Sequence, residues 1–240
     1  ATEGASLSTA THGKPREIKA TGSALFLATS TRLLRRPIGS DAWTVSTGLP
    51  SGAVGHIEIV GSTIYALVRG KGLYKAADAT TLAFTAVKTG NYHWFSIYKN
   101  NPDRIMIIGG ETAYTHNASA GTPTWASISS LQYPGQSAAF KSGLGGSAVW
   151  CDWHDSDPDL VMVMRFQHMG RSEDGGKTVI WASENFDYSE IRHISFHRSN
   201  WKKIFLGMTD RLLTHSDSGG MFVRDDNITD NEKDTIKAAI

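Results

Sequence analysis

The sequence predicts an all-β fold, a β-propeller of four-stranded antiparallel blades. Three observations carry this. Helical periodicity is nearly absent, and short β-rich runs alternate with Gly, Asn, Asp and Ser turns. Five apolar strands recur at a spacing of about 40 residues, with one longer gap: SALFLAT from Ser23, STIYALV from Ser62, RIMIIGG from Arg104, LVMVMRF from Leu160 and KIFLGMT from Lys203. Each is followed by a second short strand (TRLLRR, KGLYKA, ETAYTH, QHMGRS, DRLLTH), a turn and then an aromatic residue, namely Trp43, Phe84, Trp125, Trp181 or Phe222. A further strand precedes each unit. It is clearest in WFSIYKNNPDRI, WCDWHDSDPDLV and HISFHRSNWKKI, and weaker in REIKATGSALF and HIEIVGSTIYAL. Four short strands repeated five times suit blades stacked around a channel, whereas a sandwich needs no such period.

The elements follow in order. Residues 1–14 are small and polar with no hydrophobic signal core, and are expected to be a flexible lead. The propeller is expected over 15–227, with blades near 15–50, 51–90, 91–130, 147–185 and 190–227. Residues 127–146 read as a long inter-blade loop. Residues 228–240 read as a short helical tail, with Thr229 or Asp230 as N-cap. In the Asn-Pro-Asp and Asp-Pro-Asp turns, Pro fixes φ and the flanking Asn or Asp caps free backbone groups. Five blades could close a ring alone or form part of a larger propeller.

Composition excludes several classes. Lys+Arg number 24 against Asp+Glu 23, so the 240-residue chain carries a net charge of +1 and no overall footprint for nucleic acid. Arg35-Arg36 reads as a solvated strand edge. The single cysteine, Cys151, allows no internal disulfide and no cysteine-rich zinc site. No apolar run approaches the roughly 20 residues that span a bilayer, so no membrane insertion is expected.

One stretch, RSEDGGKTVIW from Arg171, contains GGKT. A phosphate loop would need Gly where Arg171 stands and a helix where VIW follows, and Glu173 and Asp174 would repel phosphate. The same stretch reads Ser172-x-Asp174-x-Gly176-x-Thr178 and then Trp181. It resembles the Asp-box, or BNR repeat, S-x-D-x-G-x-T-W, although Val179 and Ile180 intervene before the tryptophan. HSDSGGMF keeps Asp217, Gly219 and Phe222, and Asp78 falls in the same register. The resemblance runs from about Ile18 to Asp226. It implies a propeller in which the box braces a hairpin between the third and fourth strands at the blade periphery. Propellers of this type include sialidases, other glycoside hydrolases, sorting-receptor ectodomains, photosystem assembly factors and phage tail proteins. The resemblance therefore implies a fold more than an activity. A sialidase's Arg-Ile-Pro has only Arg36-Pro37-Ile38 as its nearest match, in the wrong order.

The candidate site lies on the first strands. Alternation puts Trp94, Ser96 and Tyr98 on one face, with Trp150, Asp152 and His154, and His193, Ser195 and His197, on the corresponding faces. Trp94, Tyr98, Trp150, Asp152, His154, His193 and His197 are thus candidate ligand-binding residues near the channel, suited to sugar rings or a peptide. The alternative is that they fill space between blades, where amphipathic aromatics are common. His193 and His197 are about 13 Å apart by strand rise and cannot share one ion, so no metal is expected. Asp152, Asp155, Asp157 and Asp159 cluster, but Asp157 and Asp159 read as turn residues around Pro158. No catalytic residue and no cofactor is assigned. The expected function is a non-catalytic binding or assembly module for glycan or protein partners, such as other virion subunits, in a virion (tail) or extracellular setting, with homo-oligomerisation left open. The alternative is a glycoside hydrolase with its active site at the pore mouth.

Overall fold

The computed structural model describes residues 7–77, 82–109, 112–131, 148–165, 168–181, 191–196, 204–208 and 212–215. After a single turn of helix, α1 (Thr9–His12), these residues form five sheets. The first holds β1 (Pro15–Ala20), β2 (Ala24–Thr29), β3 (Leu33–Pro37) and β4 (Thr44–Val45). The second holds β5 (Val54–Val60), β6 (Thr63–Val68), β7 (Gly72–Ala77) and β8 (Thr85–Thr89). The third holds β9 (Tyr92–Ile97), β10 (Ile105–Gly109), β11 (Ala113–Thr115) and β12 (Ala126–Ser127). The fourth holds β14 (Ala148–Trp153), β15 (Val161–Arg165), β16 (His168–Ser172) and β17 (Thr178–Trp181). The fifth holds β18 (Ile191–Phe196), β19 (Ile204–Met208) and β20 (Leu212–His215). Within each sheet, these strands pair antiparallel with their sequence neighbours. The fold is an all-β propeller of antiparallel blades.

The stretch expected to be an inter-blade loop is not all loop. Ser129–Leu131 forms β13, which pairs in parallel with β17 through Ser129↔Thr178 and Leu131↔Ile180. Its local sequence, ISSL, has only two apolar residues around two serines, and the turn-rich surroundings disguise it. The outer edge of β17 offers it unpaired backbone groups. Residues 132–146 and the tail 228–240 lie outside the described residues.

The second and third blades are apolar on both faces because each is covered on both. Alternation along β2 and β3 sends Ala24, Phe26, Ala28 and Leu33 toward the second sheet, where they meet Val54, Ile57, Ile64, Ala66 and Phe84. Tyr65, Leu67 and Leu73 on the opposite face of the second sheet pack with Phe95, Ile97, Ile105 and Ile107. Tyr98, Met106 and Ile108 then meet Cys151, Trp153, Val161 and Val163 of the fourth. The core is therefore a series of seams between sheets. The first strands of successive sheets, β1, β5, β9, β14 and β18, pack side by side and form the inner wall.

Candidate functional site

Each first strand carries a register irregularity near its start. It falls between Pro15 and Glu17, Val54 and His56, Tyr92 and Trp94, Ala148 and Trp150, and Ile191 and His193. A bulge re-aims the residue that follows it. Glu17, His56, Trp94, Trp150 and His193 therefore occupy equivalent places on the inner wall.

Where side chains are described, these residues touch in sequence. Glu17 Oε2 lies 3.0 Å from His56 Nδ1. The His56 ring stacks on Trp94 with centroids 3.7 Å apart, and Trp94 stacks on Trp150 at 3.5 Å. Trp94 donates its indole N–H to the Cys151 carbonyl at 3.0 Å. Both faces of Trp94 are covered by neighbouring rings, and Trp94 and Trp150 are partly buried. The aromatic pair packs between the third and fourth blades.

Two places further along β5 and β9, a polar side chain solves another problem. A first strand is the edge of its sheet, so its outward N–H groups lack ladder partners. Glu58 Oε2 accepts the Ile97 N–H of the next blade at 3.2 Å. Ser96 Oγ accepts the Trp153 N–H of the blade after that at 3.1 Å and faces Asp152 Oδ1 at 3.4 Å. Glu17 does the same for the Ile57 N–H at 2.9 Å. Blade after blade, an inner side chain caps the next blade's free edge.

The electrostatics follow from this crowding. Burial disfavours charge on Glu17, but the bond and charge of His56, with the Ile57 N–H and Lys19, outweigh it and hold the carboxyl below its ordinary value. Burial likewise opposes protonation of His56, yet Glu17 and Glu58, the latter 3.3 Å from Nε2, raise it. Asp152 keeps partial solvent exposure, but protein surrounds its carboxyl on nearly all sides. That desolvation, followed by the charge of Glu58, pushes it up to about 7, against the pull of Lys99. Burial, then Glu58 and Asp152, also raises the Cys151 thiol well above its ordinary value.

The remaining candidates separate. Tyr98 is buried in the seam against Trp153, with its hydroxyl near Asn100. His154 is also buried, and its Nδ1 accepts the Asp157 N–H at 3.1 Å and faces the Ser156 N–H at 3.3 Å, bracing the turn around Pro158. Burial lowers its basicity. His193 follows the bulge in β18, and His197 lies outside the described residues. Lys99 pairs with Asp155 at 2.6 Å, and Arg104 reaches Asp159 at 3.1 Å and the Pro158 carbonyl at 2.7 Å, all between the third and fourth sheets. Asp157 Oδ1 accepts the Asp159 N–H at 2.9 Å, a turn bond. Arg35 is not a solvated edge: it is buried in the first sheet, while Arg36 lies over the Trp43 ring at 5.3 Å.

Ser172 ends β16, Asp174 and Gly176 lie in the turn that follows, and Thr178 opens β17. Buried Ser172 donates to Asp174 Oδ1 at 2.8 Å and accepts the Gly176 N–H at 2.8 Å, and Asp174 accepts the Thr178 N–H at 2.9 Å. Gly175 and Gly176 adopt φ of 73° and 89°, where a side chain is strained. Burial opposes the charge of Asp174, but the Thr178 and Ser172 donors hold its carboxyl low. The turn also docks on the third sheet, where His116 Nε2 lies 3.0 Å from the Gly175 carbonyl. Trp181 lies in β17, and Asp217, Gly219, Phe222 and Asp78 lie outside the described residues.

Glu17, His56 and Glu58 were not among the sequence candidates. Their signal was the register of REI and HIE with WFS and WCD, two copies weak enough to pass over.

Solved structures similar to this chain include propeller proteins. YCF48 from Cyanidioschyzon merolae matches at 18% identity with a TM-score of 0.62, over 88% of this chain and 71% of that one. An ancestral GH74 enzyme matches at 11% and 0.64, over 90% of this chain and 30% of that one. The extracellular domain of BT4673 from B. thetaiotaomicron matches at 10% and 0.63, over 88% and 27%. At these identities the likeness is one of fold. The chain spans under a third of the length of the latter two. Neither a protein-family model nor a curated protein sequence matches it.

Proposed function

We propose that this propeller is a non-catalytic scaffold of the Asp-box type that engages a partner protein of acidic character through its first sheet. The observation that carries the proposal is a coincidence of surfaces. Among the described residues, the large apolar side chains left exposed are Ile18 at 58%, Ile38 at 57% and Val45 at 48%, all in or beside the first sheet. The cations Lys14, Arg16, Lys19, Arg32 and Arg36 lie in the same stretch, with Glu17 turned toward His56 and Lys19. Exposed apolar groups flanked by cations suit an acidic protein surface better than a sugar or a nucleic acid, which offer little apolar complement. The stacked inner rings favour the same reading, because Trp94 has no free face for a glycan. The Ser172–Thr178 turn, with its serine, aspartate and glycine bonded as a hairpin brace, supports the Asp-box assignment. A virion or extracellular setting accords with that resemblance.

The test uses a fluorescent peptide of alternating Glu and Leu, with a heparin oligosaccharide and duplex DNA as competitors. The peptide should bind, weaken with salt, and be lost in Arg16→Glu/Arg36→Glu. Failure of the peptide to bind, or stronger binding of either competitor, would overturn the reading.

A second reading, glycoside hydrolysis, has one observation in its favour. Asp152 is half-protonated near neutral pH and Glu58 lies close enough to influence it, the pairing of acid and carboxylate that such chemistry uses. Against it, Glu58 is occupied by His56 and the Ile97 N–H. Hydrolysis of a glycoside panel that disappears in both Asp152→Asn and Glu58→Gln would establish it.

A further inference from the structure

His56 has a carboxylate on each side. Its Nδ1 lies 3.0 Å from Glu17 Oε2 and its Nε2 lies 3.3 Å from Glu58 Oε1. A neutral imidazole has one N–H and one lone pair. Against two carboxylates, one nitrogen would then aim a lone pair at an oxygen. Only the imidazolium satisfies both sides. The ring is buried, and Trp94 stacks on its face at 3.7 Å, so it cannot turn away to find water without breaking that stack.

We propose that His56 is a proton-operated clasp: protonated, it holds Glu58 in place between the second and third blades, and on losing its proton it releases Glu58 into the channel. Glu58 is the arm that leaves. Its contact is the longer, and among the described residues its other donor is the Ile97 N–H at 3.2 Å. Glu17 is held by His56, by the Ile57 N–H at 2.9 Å and by Lys19 Nζ at 3.2 Å, so it keeps the remaining imidazole proton. The other titratable groups around the arm are Asp152, Lys99 with its partner Asp155, Cys151 and Tyr65, each of which feels the charge of Glu58 or lies beside a group that does. From β9 the ring meets Trp94 and Phe95, which carry no charge.

The sign follows from the raised basicity of His56. The clasp is complete below the ordinary imidazole value of about 6.5 and opens as pH rises through the higher folded value. The consequence is an inner wall that gains a mobile carboxylate once pH passes that folded value, and a seam that loosens at the Ile97 cap.

Two measurements on the whole chain test this. In a histidine-labelled sample, the His56 ring resonances should titrate above 6.5 and show both nitrogens protonated below the transition. Glu58→Gln, which removes one carboxylate and leaves an acceptor, should move that midpoint down by about one pH unit. Tryptophan emission should rise through the same transition as the stacked imidazolium that quenches Trp94 is neutralised, and Trp94→Phe should abolish the rise. A His56 ring that stays neutral down to pH 5.5, or a midpoint unmoved by Glu58→Gln, overturns the clasp. These variants leave His56 in place, so the test does not depend on the folding of a His56 substitution.

Discussion

Replacing Asp152 by asparagine should stabilise the protein at alkaline pH and do little in acid. Burial and Glu58 lift the Asp152 carboxyl from about 3.8 to about 7. The folded protein therefore binds a proton there across that window while the unfolded chain does not. Wild-type stability from this group is largest below the unfolded value and falls as pH rises through the folded one. Three pH units at about 1.36 kcal/mol each set an upper bound of about 4 kcal/mol. Asp152 retains partial exposure, so screening by water reduces this to about 1–2 kcal/mol. Asparagine is isosteric, keeps an oxygen toward Ser96 Oγ and cannot ionise. The difference in unfolding free energy between Asp152→Asn and wild type, from urea melts at pH 4.5, 6 and 8, should grow by about 1–2 kcal/mol in favour of the variant. Taking the difference cancels the titrations of groups that do not couple to Asp152. A difference that stays constant with pH, or that grows against the variant, would refute the assignment of a disfavoured charge to the inner wall.

Other consequences are as direct. Asp174→Ala removes acceptors for Ser172 and the Thr178 N–H and should cost about 1–2 kcal/mol at pH 7. Because the Asp174 carboxyl is held low, that cost should shrink as pH falls through its folded value, which acid melts can follow. Gly176→Ala places a methyl at φ 89° and 2.5 Å from the Met106 Cε. The flexible methionine can yield but the backbone cannot, so a loss of about 1–2 kcal/mol is expected in thermal melts. Cys151 is fully enclosed with its thiol well above the ordinary range, so a thiol reagent at pH 8 should label it only on unfolding.

Some of this was legible in the residues. The period of apolar strands and the trailing aromatics showed the blades, because every blade must bury both faces and so repeats the same pattern. Alternation along WFSIYK separated Trp94 and Tyr98 from Phe95 and Ile97, and the structure sends these two sets into different seams. What the pattern did not show was contact between repeats. That Trp94 stacks on Trp150, 56 residues away, depends on bulges in both strands, and nothing local marks a bulge. Glu17 and His56 escaped notice because REI and HIE lack the tryptophan that marks WFS and WCD, although they occupy the equivalent positions. β13 was hidden because ISSL is too short to stand out beside a Gly- and Ser-rich stretch. His154 looked like a channel residue by alternation, but the strand ends at Trp153 and the histidine turns back to cap Asp157.

The account rests on the inner-wall aromatics being fasteners between blades, and a double-mutant cycle measures that directly. Trp94→Ala, Trp150→Ala and the double variant, unfolded in urea, give the coupling between the two rings. Stacking at 3.5 Å in a partly buried seam predicts a coupling of about 1 kcal/mol, with each single variant well below wild type in stability. Two substitutions that simply add, in variants that lose little stability, would contradict it and return these residues to the status of a waiting ligand platform.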